Sequence, residues 1–572
     1  MGRRRLALAL LAFGLGCSPA DNAQPRAVAP PPTESSAKAS APQRAVVSIV
    51  GTNDLHGRVH ALSLLAGYVS RLRTVREKDG GVVLVDAGDM FQGTLESNLS
   101  EGLPVVAAYA AMGYDAVTIG NHEFDFGPKG PAPTPEKPED DPRGALKAAA
   151  AAAPFPFLTA NVHDKKTKRS LDYPNVVPST VVNVKGTKVG LIGVTTEETL
   201  TTTISANVKD LSIAPLAESI ATEAARLRQA GASAVVVLAH AGGKCKAFNR
   251  DPKADQCEDR SEIFRVARAL PPKSVDVIVA GHTHAGVAHE IEGIAIIEQH
   301  AYGRAFGRVD LVIQDGAVTE KTIFAPRDLC PSDEKADLAT CSPGDYEGGP
   351  VLRDEKVAAA VQPAIDGAKE KRAERVGPDL PDGLGRDYDD ESALGNLFAD
   401  LVREAQPGVD VGLMNGGGLR ADLPKGPLSY GSLFEAFPFD NRLATAQLDG
   451  KRFRELVSAH LQRGGGILSF SGVVVQATCK GKELVVKLTR DGKRPIKDDE
   501  KLTIMGSDFL FTGGDNFWGE GEPPPVTILD TLMRDALESG LKKRSAVEPK
   551  SVFDPKKPRL TLSSRRPIDC TR

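Results

Sequence analysis

Short aliphatic runs recur along the first half of the chain: Val46 to Val50, Val82 to Val85, Ala116 to Ile119, Val235 to Leu238 and Val275 to Val279. Runs this brief and this apolar predict strands buried on both faces. Between them lie stretches with helical spacing of apolar positions, such as Leu62 to Arg76 and Ile213 to Ala230, so the pattern predicts an α/β domain over residues 45–330. Pro128 to Arg143, rich in proline and acidic residues, reads as a surface loop, and the alanine run Ala145 to Ala153 that follows reads as a helix. Both look like decoration on the domain.

Residues 331–380 read as a linker, opening with a loop from Cys330 to Gly349 and containing a connecting helix over Asp354 to Arg375. A second α/β domain is expected over residues 381–565, with helices at Ser392 to Glu404 and Gly450 to Arg463 and strands at Val473 to Ala477, Leu484 to Thr489 and Lys501 to Gly506. Three glycine-rich turns punctuate it, Asn415 to Arg420, Gly464 to Gly466 and Thr512 to Asp515. Glycine clusters allow the backbone to approach a ligand closely, and they also serve as plain turns.

Composition changes this picture little. A formal net charge of −4 over 572 residues gives no reason to expect a nucleic acid polymer as partner, and 41% hydrophobic with 26% charged residues is ordinary for a globular protein. The first residues stand apart. Arg3, Arg4 and Arg5 precede an apolar stretch, Leu6 to Leu15, too short for a membrane helix of about 20 residues, so residues 1–17 read as an export signal. Cys17 lies where a bacterial lipoprotein signal places its acylated cysteine, although Gly14 stands where that motif usually carries Leu. Residues 18–44, rich in Ala, Pro and Ser, then read as a flexible tether, and the protein is expected to be a periplasmic or cell-surface lipoprotein; a soluble secreted form is the alternative. The other cysteines suit an oxidising compartment. Their spacing suggests local pairs Cys245 with Cys257 and Cys330 with Cys341, and by elimination Cys479 with Cys570.

The informative chemistry sits where the apolar runs end. In order, they finish in Asp54-Leu55-His56, Gly88-Asp89, Gly120-Asn121-His122-Glu123, Ala239-His240 and Gly281-His282-Thr283-His284. Ligands in α/β sheets gather beyond the carboxyl ends of the strands, so five clusters far apart in sequence can converge on one crevice. Carboxylate, amide and imidazole donors without thiolate suit two divalent ions such as Zn or Mn. The DxH spacing places Asp54 and His56 on one side of an extended segment. Asp54, His56, Asp89 and His284 are assigned to one ion, and Asp89, Asn121, His240 and His282 to the other. Two ions bring about +4 and two carboxylates remove two units, which leaves a site of about +2, suited to a phosphate ester. His122, with Asp125 behind it to raise its pKa, is then free to act as an acid or to stabilise charge.

Together these motifs resemble the calcineurin-like metallophosphoesterases, specifically the bacterial periplasmic 5′-nucleotidase and UDP-sugar hydrolase family. The resemblance runs from Thr52-Asn53-Asp54-Leu55-His56-Gly57 through Asp86 to Asp89, Gln92 to Thr94, Gly120 to Asp125, His240 and Gly281 to His284. It implies an N-terminal four-layer α/β/β/α sandwich and a C-terminal α/β nucleotide-binding domain, joined by a helix about which the second domain rotates. It implies that Asn415 and Arg420 contact phosphate, that Phe439 and Phe509 sandwich the base with Asn441 nearby, and that Asp515 accepts hydrogen bonds from the ribose. Where some members add arginines, Glu391 to Asn396 holds none, and His284 stands where some relatives carry Gln.

The activity implied is hydrolysis of 5′-nucleotides to nucleoside and phosphate, with metal-activated hydroxide as nucleophile and the His122–Asp125 dyad assisting. The same scaffold also suits a 2′,3′-cyclic-nucleotide phosphodiesterase and 3′-nucleotidase, or a UDP-sugar hydrolase. Outside enzymes, the alternative is a nucleotide-binding surface lipoprotein that has lost catalysis.

Overall fold

The five apolar runs form parallel strands at the centres of two sheets. In a computed structural model, which describes residues 44–248, 257–331, 336–519 and 523–571, the signal, Cys17 and nearly all of the tether lie outside the described residues. Arg44–Thr52, Gly80–Asp86 and Ala116–Thr118 are successive parallel neighbours in a seven-stranded sheet. Ala234–His240 and Val277–Ala280 pair in parallel within a six-stranded sheet, where Thr187–Thr195 flanks the first of them.

Both faces of these strands are buried, which explains their unbroken apolar character. Val47, Ile49, Val83 and Val85 of one sheet meet Leu191, Val236, Leu238 and Val279 of the other to form the middle core. Val50 and Leu84 point the opposite way, under Leu62–Arg76, Leu103–Met112 and Gly144–Ala152, while Val235 and Val237 lie under Leu216–Gln229 and Glu262–Ala269. The result is the expected α/β/β/α sandwich.

Some expectations need correction. The alanine helix is no decoration, because Leu146, Ala149 and Ala150 are buried in the outer core. The insertion before it is also tied in: Pro133 O accepts from Asn207 Nδ2 at 2.9 Å, and Glu136 pairs with Arg442 of the second domain at 2.9 Å. Leu211–Ile213 is a strand, and Pro215 delays the helix to Leu216–Gln229. Arg375–Leu380, expected within the linker, pairs with Gly426–Ser429 of the second domain.

The connecting helix, Glu355–Ala373, begins where the Asp354 carboxylate accepts from Lys356 N and Val357 N. Val357 and Val361 are buried in the outer core of the sandwich, and Ala368 is buried in the second domain. One helix thus belongs to two cores. Beyond it, the strands Leu468–Ser471, Val411–Asn415, Lys501–Ser507, Arg442–Asp449 and Val526–Leu532 lie side by side in a five-stranded sheet. Ala393–Glu404 and Met533–Lys542 share the core on one side, and Gly450–Leu461 with a four-stranded sheet fills the other. The two disulfides expected from spacing, Cys245–Cys257 and Cys330–Cys341, are present, and so is Cys479–Cys570, the pair left by elimination.

Candidate active site

Parallel strands in two stacked sheets deliver their carboxyl ends to one edge, and the ligand clusters meet there. Chain direction changes abruptly after Thr52. Asp54 and His56 both adopt left-handed backbone at φ 49°, so they face one point through a turn, and the extended segment inferred from DxH spacing is absent. Asp89, His282 and His284 share the left-handed region, at φ 57°, 79° and 56°. Each such residue costs about 1 to 2 kcal/mol, so five among the seven expected ligands mark a site that the surrounding packing holds in place. Two glycines make room: a Cβ on Gly88 would lie 2.9 Å from His240 Nδ1, and one on Gly120 would lie 2.2 Å from Asp89 Oδ1.

The donor atoms fall into two groups. Asp54, His56 and His284 each bring one ligand atom within 4.8 Å of the others, and so do Asp89, His240 and His282. Asp89 Oδ2 lies 3.2 Å from His240 Nε2 and 3.9 Å from His56 Nε2, between the groups, and Asn121 Oδ1 is 2.9 Å from His240 Nε2.

Whether ions fit can be judged from the atoms left over. Asp54 Oδ2 accepts from Asn53 Nδ2 at 2.6 Å and from His282 N at 2.9 Å, whereas the buried Oδ1 has no hydrogen-bond partner. His56 Nδ1 donates to Gln92 O and His240 Nδ1 to Ala87 O, both at 2.8 Å, which turns each Nε2 inward toward the donor groups. His56 Nε2 and His284 Nε2 are 3.0 Å apart. Burial, then His284 and Arg420, hold the His56 pKa well below the usual imidazole range. Burial opposes charge on the Asp89 carboxyl, but His240 and His122 outweigh it and hold it well below the usual carboxylate range. Imidazole nitrogens turned inward with ionised carboxylates between them are donors that a pair of divalent cations would take.

His122 stands beside this cluster, its backbone N donating to Asp89 Oδ1 at 2.8 Å and its Nδ1 lying 2.6 Å from Asp125 Oδ2. Burial disfavours a charged ring, but Asp125 and Asp89 prevail and push the pKa up. The second domain reaches His122 directly. Arg420 Nη2 is 2.8 Å from Nε2, the Phe439 ring centroid is 5.5 Å from the imidazole, and the Arg420 guanidinium lies 5.3 Å above Phe439. Gln92 Nε2 donates to Pro438 O at 2.9 Å and so fixes the Phe439 loop against the first domain. Of the other residues expected to bind substrate, Asn415 Nδ2 donates to Asp515 Oδ2 at 2.9 Å. Phe509 packs on Gly514 beside that aspartate, and Asn441 is buried with its carbonyl accepting from Met533 N.

Residues 47–286 match the calcineurin-like phosphoesterase family, and residues 378–520 match the 5′-nucleotidase C-terminal domain. The chain belongs to the metallophosphoesterases that carry a 5′-nucleotidase C-terminal domain. It is similar to Endonuclease YhcR of Bacillus subtilis, at 28% identity over 506 residues that cover 83% of this chain and only 38% of that protein. Protein UshA of Escherichia coli is 24% identical over 549 residues, with 89% of this chain and 93% of that protein covered. Among solved structures, a 5′-nucleotidase precursor from Thermus thermophilus shares the fold, with a TM-score of 0.69 at 23% identity over 90% of this chain and 99% of that one.

In this metallophosphoesterase, two carboxylates next to the cluster had no role assigned from sequence: Glu123, which stands inside one of the strand-end motifs, and Glu198, which stands in none. Glu123, 1% exposed, accepts from Asp89 N and Gly120 N through Oε2 and from Met90 N through Oε1, which locks the Gly88 and Gly120 turns together. Glu198 Oε2 lies 3.2 Å from His282 Nε2. It follows Thr187–Thr195, a sixth apolar strand ending at the same edge, and that strand was the available signal.

Proposed function

We propose that the protein is a metal-dependent phosphoric ester hydrolase that converts 5′-nucleotides to nucleosides and phosphate. The observation that carries this reading is the 2.8 Å approach of Arg420 to His122, with Phe439 against both, at the rim of the two donor groups. A guanidinium suited to phosphate and an aromatic ring suited to a base, both from one domain, thereby meet a histidine beside carboxylates from the other. Asp54, His56 and His284, and Asp89, Asn121, His240 and His282, would hold two divalent ions. When bound, the ions supply positive charge that polarises a phosphoryl group and activates water.

The chain's own residues account for the rest. Arg420 Nη2 lies 2.8 Å from His122 Nε2 and so covers the ring nitrogen that faces the donor groups. A phosphate that engages the Arg420 fork frees Nε2 to hold a proton taken from water, Asp125 and Asp89 favour the charged ring, and Nε2 delivers that proton to the leaving 5′ oxygen. Phe439 and Phe509 stack on the base and Asp515 accepts from the ribose. Three disulfides support an exported protein, and the signal pattern before Cys17 is the ground for proposing a lipid anchor there.

The test is a panel of AMP, a 3′-nucleotide, a 2′,3′-cyclic nucleotide and a UDP-sugar with purified protein and Mn²⁺ or Zn²⁺. AMP is expected to give phosphate and adenosine. Turnover of the cyclic nucleotide or UDP-sugar with AMP untouched would overturn the substrate assignment, and no turnover at any metal would favour a binding protein.

A further inference from the structure

One segment outside the predicted motifs touches three of the residues assigned to the site. The strand Thr187–Thr195 ends in the six-stranded sheet, and the chain then runs Thr196-Glu197-Glu198-Thr199-Leu200-Thr201-Thr202-Thr203 over the cluster. Glu198 meets His282, Thr202 O accepts from Asn121 Nδ2 at 3.2 Å, and Thr203 Oγ1 donates to Asp125 Oδ1 at 2.6 Å. Asp125 and Asn121 follow a strand of the other sheet, so this last bond crosses the sandwich.

We propose that Thr203 is a positioning residue for phosphate ester cleavage, because its hydroxyl fixes the Asp125 carboxylate that aims the His122 ring. The two oxygens of Asp125 are engaged separately, Oδ2 accepting from His122 Nδ1 at 2.6 Å and Oδ1 accepting from the Thr203 hydroxyl at 2.6 Å. Among the described residues, these are the two groups that hydrogen-bond to this carboxylate. A carboxylate held at one oxygen can rotate about its Cβ–Cγ bond and carry the imidazole with it; held at both, it cannot. Thr203 is 2% exposed and Asp125 is 7% exposed, so bulk water does not readily take over the hydroxyl's place. A misplacement of about 1 Å at a reacting group is enough to cost on the order of a hundredfold in rate.

The inference rests on the reading of His122 as the proton donor to the leaving oxygen, and the test separates the two. Thr203→Val removes the hydroxyl at nearly constant volume. It is expected to lower kcat for a nucleoside 5′-phosphate, whose alkoxide must be protonated, by about tenfold or more, with KM within about twofold and metal content unchanged. p-Nitrophenyl phosphate, whose phenolate leaves with little help, should be cleaved at close to the wild-type rate, and Thr203→Ser should restore the nucleotide rate. Unchanged nucleotide turnover, or equal loss on both esters, overturns the proposal. His122→Ala is run beside it: if this variant also loses both esters equally, the proton-donor reading itself fails, whereas leaving-group dependence in His122→Ala but not in Thr203→Val removes Thr203 alone. Should the valine variant not fold, Thr203→Ala carries the same comparison.

Discussion

The replacement Glu123→Gln tests whether the two glycine turns hold the ligands in register. Glu123 accepts three backbone N–H bonds of 2.7 to 2.9 Å, two on Oε2 from Asp89 N and Gly120 N and one on Oε1 from Met90 N. An amide is isosteric but has one acceptor oxygen. If that oxygen keeps Asp89 N and Gly120 N, its NH₂ faces the Met90 N–H, and a buried donor loses its partner at a cost of about 1 to 3 kcal/mol. In the opposite orientation two donors are lost, so the first sets the minimum. Because Asp89 belongs to one donor group and its Oδ2 lies 3.9 Å from His56 Nε2 of the other, the cost is expected to fall on metal retention, and each 1.4 kcal/mol is about tenfold in affinity. The expected outcome is therefore roughly a 5- to 150-fold weaker hold on the ions. Competition against chelators of graded strength, with bound metal counted by plasma mass spectrometry, reads this directly. Melting of the metal-free protein reports separately on any cost to the fold. If Glu123→Gln retains metal like the wild type and melts at the same temperature, the clamp argument is wrong.

Two further expectations follow from the second domain. Phe509→Ala should raise KM for a nucleotide by about 1 to 3 kcal/mol, the usual contribution of base stacking, and leave a small phosphate ester unaffected; equal losses on both substrates would argue against stacking. Asp508 accepts from Arg442 N and Phe509 N, and burial pushes its carboxyl up to about 6. The folded chain thus holds this proton more tightly than the unfolded chain, so the associated stability is complete below about pH 4 and is lost as pH rises through about 6. Asp508→Asn should be more stable than wild type at pH 7.5, by at most about 3 kcal/mol, with the gap closing near pH 4 in denaturant titrations. A gap that does not change with pH would refute it.

Much of this molecule was legible without coordinates. The apolar runs are strands because a segment buried on both faces must be apolar throughout, and the ligand clusters at their ends were visible as a series. Leu62–Arg76 runs over the residues its periodicity predicts, and the two short-loop disulfides, Cys245–Cys257 and Cys330–Cys341, pair as spacing suggested. These features depend on residues near one another in the chain. What the sequence could not show depends on groups that meet only after the sheets stack. Asp54 and His56 converge through left-handed turns because Asn53 is held by His300 O and Gln299 N, about 250 residues away. Arg375–Leu380 becomes a strand only once Gly426–Ser429 is beside it. Glu123, Glu198 and Thr203 carry no periodic signal, and their positions follow from which backbone and side-chain donors the fold brings opposite them. Sequence named the donor atoms, since their chemistry is local; tertiary structure decided what aims them, since aim is set by partners across the sandwich.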